Sequence, residues 1–149
     1  MAAILLVAHA PQAASLLAVA RHVYPDCSVG LAGVDIAAGA SPAEAQAQIR
    51  AALANLGATD VLILADVFGA SPCKAALAVA DGVRTRVVAG VNVPMLWRAL
   101  CYADVPLDEL VTRAVDGGVQ GVMQVGVPRP QNQASQPATD DQVQHHDQQ

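Results

Sequence analysis

The sequence predicts a doubly wound α/β fold, a mainly parallel sheet with helices on both faces. Short apolar runs of five or six residues, the signature of strands buried on both faces, alternate with stretches whose apolar residues recur at helical spacing. Ser-Pro pairs open two of the helical stretches and glycines close two, as the chemistry of helix ends requires. Of the 149 residues 54% are apolar but only 3% aromatic, so a sizeable core must be built from Ala, Val and Leu, which suits close packing of helix on sheet.

Ala3–Ala8 is a continuous apolar run and reads as the first strand. Pro11–Tyr24 places Leu16, Leu17, Ala20 and Val23 on one helical face, and Pro25-Asp26 breaks it. Val29–Asp35 reads as the second strand. A second helix has Ser41 as N-cap, Pro42 at its first position and Glu44 closing a capping box, and it runs to about Leu56, where Gly57 stops it. Asp60–Ala65 is the third strand. Ser71 as N-cap and Pro72 open a third helix, which Gly82 follows. Thr85–Ala89 is the fourth strand, ended by Gly90. Val93 or Pro94 opens a helix to about Cys101, Leu107–Gly117 is a last amphipathic helix, and Val119–Val125 suits a final short strand.

Charge and composition exclude several classes of function. The net charge is −5 and no Lys/Arg cluster occurs, which argues against nucleic acid as a partner. No apolar run reaches the roughly 18 residues a membrane span needs, and the N-terminus lacks the basic start of a signal peptide. Cys27, Cys73 and Cys101 are odd in number and have no CxxC spacing, so neither a disulfide framework nor a metal site is expected, and the cytoplasm is the expected location. From Pro128 the chain turns Pro- and Gln-rich with almost no apolar residues, which predicts a folded domain over 1–126 and a disordered tail over 127–149.

In an open α/β sheet, sites form at the carboxyl ends of the strands. His9, Asp35, Asp66 and Asn92 fall there. Each has a plain alternative: His9 as a loop residue, Asp66 as a cap for the turn Val67–Ser71, Asp35 as a turn residue, Asn92 as a partner for turn backbone. If the first and third strands are neighbours, His9 and Asp66 lie side by side. A neutral imidazole nitrogen is a good nucleophile toward phosphorus, and a carboxylate on the other nitrogen fixes the tautomer that exposes it. The turn Gly69–Pro72 would then offer backbone N–H groups and a helix dipole to a bound phosphoryl group. No GxxxxGK[ST] occurs, so a nucleotide is not the obvious donor. His22 reads as structural, Cys73 as a small buried residue, and Met95 and Trp97 as packing residues near a subunit or partner surface, while His145 and His146 lie in the tail.

The run ILLVAHA, then DVFGASP after the third strand and AGVNVPML after the fourth, in that order, resembles the mannose-type IIA domain of the bacterial sugar phosphotransferase system over about residues 3–125. The family usually has Gly where this chain has Ala10, and often Gly-Gly where it has Gly69-Ala70. The resemblance implies a phosphohistidine carrier that needs no cofactor or metal. It takes the phosphoryl group from the phosphocarrier protein HPr and passes it to a IIB-type domain or a regulatory target. It makes His9 the phosphorylated residue, Asp66 its hydrogen-bonding partner, and Phe68, Gly69, Ala70 and Ser71 the phosphoryl-binding loop. It also implies a four-stranded parallel sheet and a C-terminal antiparallel strand exchanged in a homodimer. Two other readings stand beside it: a IIA-like phosphoryl donor domain for dihydroxyacetone kinase, and a receiver-like domain phosphorylated on Asp66. The latter needs an acidic pair after the first strand, where this chain has His9-Ala10-Pro11. The docking surface around His9 is expected to lack an obvious apolar or charged anchor, and with no second domain after the tail the chain is expected to act as a stand-alone relay or regulatory carrier.

Overall fold

Ile4, Leu5, Leu6, Val7 and Ala8 have no solvent exposure, which requires cover on both faces of the strand they form. The computed structural model describes residues 1–130 of the chain, and the tail from 131, with His145 and His146, lies outside the described residues. The strands are β1 (Ala3–His9), β2 (Leu31–Ile36), β3 (Val61–Ala65) and β4 (Thr85–Ala89), and the helices are α1 (Gln12–Val23), α2 (Pro42–Leu56), α3 (Ser71–Val79), α4 (Val93–Cys101) and α5 (Leu107–Gln120). All strand pairs are parallel, in the order β2-β1-β3-β4. Alternate residues face opposite layers. Ile4, Leu6, Leu62 and Leu64 pack beneath α1, α4 and α5, while Leu5, Val7, Val61 and Ile63 pack beneath α2 and α3. Among the described residues no helix is long and apolar enough to cross a membrane.

Local chemistry places most helix ends where the sequence puts them. Ser41 Oγ accepts the Glu44 N–H at 3.1 Å and donates to the Glu44 carboxylate at 3.1 Å, and α2 ends on Gly57 in the left-handed region at φ 61°. β4 occupies its predicted range. Cys73 is buried, and Cys27 and Cys101 are free and exposed. His22 is exposed in the last turn of α1. Met95 belongs to the core, and Trp97 packs edge-to-face on Tyr24 with centroids 6.5 Å apart.

Several boundaries shift by one residue, and three departures are larger or change a cap. β2 starts at Leu31, because its register pairs Ile4 with Leu31 and His9 with Ile36. α3 starts at Ser71 itself, with Ala70 as the N-cap and no side-chain cap. α5 continues past Gly117 to Gln120, so no strand spans Val119–Val125. Gly117 and Gly118, where the sequence predicts the helix to end, let α5 lie close on α4. A Cβ at Gly117 would stand 2.6 Å from Arg98 Cβ, and one at Gly118 2.7 Å from Met95 Cε. After α5 the described chain has no regular structure, and Val122, Met123, Val125 and Val127 are 68–86% exposed.

Candidate functional site

The strand order reverses direction between β1 and β3: β2 adds on one side of β1, and the chain returns to place β3 on the other. That switch point opens a crevice at the carboxyl ends of the two strands. His9 is the last residue of β1, and Asp66 directly follows β3. Since Val7 pairs with Ala65, the two side chains meet across the crevice.

Asp66 receives three hydrogen bonds. The His9 backbone N–H donates to Oδ2 at 2.9 Å, the His9 ring meets the same oxygen through Nδ1 at 2.5 Å, and the Val67 N–H donates to Oδ1 at 2.8 Å. Asp66 therefore both orients His9 and caps the turn, so the two readings of this residue are complementary. Burial pushes the Asp66 carboxyl up, but the hydrogen bonds from His9 and Val67 outweigh it and hold it below its ordinary value. An ionised carboxylate only accepts, so Nδ1 carries a proton, and in the neutral ring Nε2 keeps a free lone pair. The His9 side chain is 51% exposed and that of Asp66 only 6%, which leaves the ring open to a second molecule and its orienting group shielded.

Asp35 is not a turn residue: it lies within β2, paired with Ala8. From the strand next to β1, its Oδ1 accepts the Ala13 N–H at 2.8 Å and its Oδ2 the Ala14 N–H at 3.3 Å. It thereby caps α1, whose own sequence provides no side-chain cap. The Ala10 N–H donates to the Ile36 carbonyl at 3.1 Å, so the segment after His9 is tied to β2 at both ends. Sequence spacing holds no signal for this cap, because donor and acceptor are 22 residues apart. Asn92 stands outside the His9–Asp66 pair. Its Oδ1 caps α4 through the Met95 N–H at 2.9 Å, and its Nδ2 donates to the Gly118 carbonyl at 3.0 Å.

Gly69 has φ +88°, a conformation an L side chain rarely adopts, and it turns the chain from β3 into α3. Phe68, Gly69, Ala70 and Ser71 thus lie between Asp66 and the N-terminus of α3. The Phe68 side chain is 78% exposed, and Val67 beside it is 49% exposed. The expectation that the surface around His9 lacks an apolar anchor is corrected by this exposure. The sequence shows an aromatic in a loop, but whether neighbours bury it depends on elements distant in the chain.

A family model described as EIIA-man, the PTS system fructose IIA component, matches residues 3–115. The chain belongs to this family. The PTS system mannose-specific EIIAB component of Escherichia coli strain K12 is 46% identical over 76 residues, which take in 48% of this chain and 24% of that protein. The matched stretch therefore spans about a quarter of that relative's length. The mannose/sorbose specific IIA subunit of the phosphotransferase system from Enterococcus faecalis superposes with a TM-score of 0.77 at 28% identity, covering 87% of this chain and 98% of that one. The EIIA component from Streptococcus agalactiae shares the fold, with a TM-score of 0.74 at 20% identity over 83% of this chain and 97% of that one. A mannose-type IIA domain is a component of the sugar phosphotransferase system. The four-stranded parallel sheet with five helices is the fold of these neighbours.

Proposed function

We propose that this IIA domain is a phosphohistidine carrier, which accepts a phosphoryl group on His9 Nε2 from phosphorylated HPr and passes it to a IIB-type domain. The observation that carries the reading is the Nδ1 contact of His9 with Asp66 Oδ2 at 2.5 Å, which leaves Nε2 as the exposed nucleophile. In the forward step the Nε2 lone pair forms a bond to phosphorus as the bond from phosphorus to the donor breaks. The ring keeps its Nδ1 proton and becomes cationic, and the Asp66 carboxylate offsets that charge. The turn Phe68–Ser71 and the N-terminus of α3 supply backbone N–H groups and a dipole to the phosphoryl oxygens. Transfer to the acceptor is the same step in reverse. Phosphorylation of Asp66 is disfavoured, since its oxygens already accept three hydrogen bonds and its side chain is shielded.

Incubation with phosphoenolpyruvate and the general proteins of the phosphotransferase system tests the reading. The wild type should acquire a base-stable, acid-labile phosphoryl group, and His9→Ala none. Label on the His9→Ala variant, or a base-labile acyl phosphate, overturns the assignment. We also infer a homodimer, from the exposed apolar residues Val122, Met123, Val125 and Val127, which a second copy of the chain would cover. Light scattering should give twice the 15.2 kDa chain mass, and a single chain mass at high micromolar concentration contradicts this.

A further inference from the structure

The loops on the His9 side of the sheet span residues 10–11, 37–41, 66–70 and 90–92. They contain one charged residue, Asp66, whose side chain is only 6% exposed and is engaged by His9. The loops at the opposite end carry five: Asp26, Asp60, Asp81, Arg84 and Asp104. On the His9 side the first turns of the helices add Glu44, bound to the Ser41 hydroxyl, and Lys74, and Arg98 of α4 is bound to the Gln120 side chain in the last turn of α5. The loops around the site are thus built mostly from small and apolar residues. Phe68, the chain's one phenylalanine, rises from them.

The loop that bears Phe68 is held on both sides of it. Asp66 Oδ1 takes the Val67 N–H before it, and Gly69 makes the turn after it. The backbone is fixed while the ring is left in water, so little ordering entropy remains to be lost when a partner covers it. A protein that exchanges a phosphoryl group with His9 must bring its reacting atom to about 3–3.5 Å from Nε2. At that distance its surface lies over the adjacent rim.

We propose that Phe68 is the docking anchor for the phosphoryl-exchange partner, and that HPr covers it with an apolar pocket, with no opposed charges at the rim. This rests on His9 carrying the phosphoryl group. Burying one such ring is worth about 10- to 100-fold in affinity. An interface without paired charges should show little dependence on salt.

Steady-state transfer from phospho-HPr to the full chain tests both parts. Phe68→Ala, which keeps the backbone N–H of the turn, should raise KM about tenfold or more with a smaller effect on kcat, and Phe68→Leu should recover most of the loss. For the wild type, KM should change less than about threefold between about 50 and about 500 mM salt. A Phe68→Ala variant whose KM stays within about twofold of the wild type, or which loses kcat and not KM, overturns the anchor. A KM that rises about tenfold or more with salt overturns the apolar pocket. Phosphoramidate, a small donor that needs no docking surface, separates the two readings. If neither it nor phospho-HPr labels His9 of the wild type, the carrier reading fails and the anchor with it. If His9 is labelled and the Phe68→Ala KM is unchanged, only the anchor fails.

Discussion

Replacing Asp66 by Asn removes one charge at nearly constant shape and leaves the site with more donors than acceptors. The carboxylate accepts from three N–H groups: those of the His9 backbone, the His9 ring and Val67. An amide has one oxygen to offer them. If that oxygen faces His9, the NH2 group meets the Val67 N–H, donor against donor. If the NH2 faces His9, it meets the backbone N–H and donates to Nδ1, which moves the ring proton to Nε2 and removes the nucleophile. In both arrangements the charge that offsets the phosphorylated ring is gone. Loss of such support costs about 10²–10⁴-fold in rate, and the orphaned donor costs about 1–3 kcal/mol of stability, toward the lower end because His9 is half exposed. Initial rates of labelling from phospho-HPr measure the first, urea denaturation the second, and nitrogen NMR of the ring reports the tautomer directly. A labelling rate within about threefold of the wild type, with the ring proton still on Nδ1, would falsify the role given to Asp66.

The same pair predicts a pH dependence. The folded Asp66 carboxyl lies below its ordinary 3.8, so its stabilisation is fully present above that value and is lost as pH falls through the lower, folded value. The stability gap between wild type and Asp66→Asn should be constant at neutral pH and close only below 3.8, and a gap that closes above it contradicts the assignment. Asp35→Ala leaves the Ala13 and Ala14 N–H groups without their acceptor, and should lower stability by about 1 kcal/mol in urea titration and slow labelling of His9 by loosening the chain after it. An unchanged denaturation midpoint would remove the cap from the account. Gly117→Val places a Cβ 2.6 Å from Arg98 Cβ, and should cost about 1–3 kcal/mol as a lowered Tm; a Tm equal to the wild type would mean that α4 and α5 do not pack this closely in solution.

Much of the site was legible in the chain because its chemistry is scarce. Few polar residues fall at strand ends in so apolar a sequence, and His9 and Asp66 are two of them. Their contact was legible only conditionally, on β1 and β3 being neighbours, and the sheet order meets that condition. Phe68 was visible as a loop residue, but its exposure beside the His9 ring was not.

The sequence by itself determined what depends on neighbours within a turn or two of chain. The Ser41 cap on the Glu44 N–H, the stop at Gly57 and the end of β4 before Gly90 all come from backbone geometry and from N–H groups that must be satisfied locally. Tertiary structure decided whatever joins residues far apart. Asp35 became the cap of α1, α5 ran past its glycines because α4 needed the space they leave, and the crevice formed between β1 and β3. Periodicity reports which face of an element is apolar, but not what will cover it. That choice is made by the packing of the whole chain, where one buried layer fixes the place of the next.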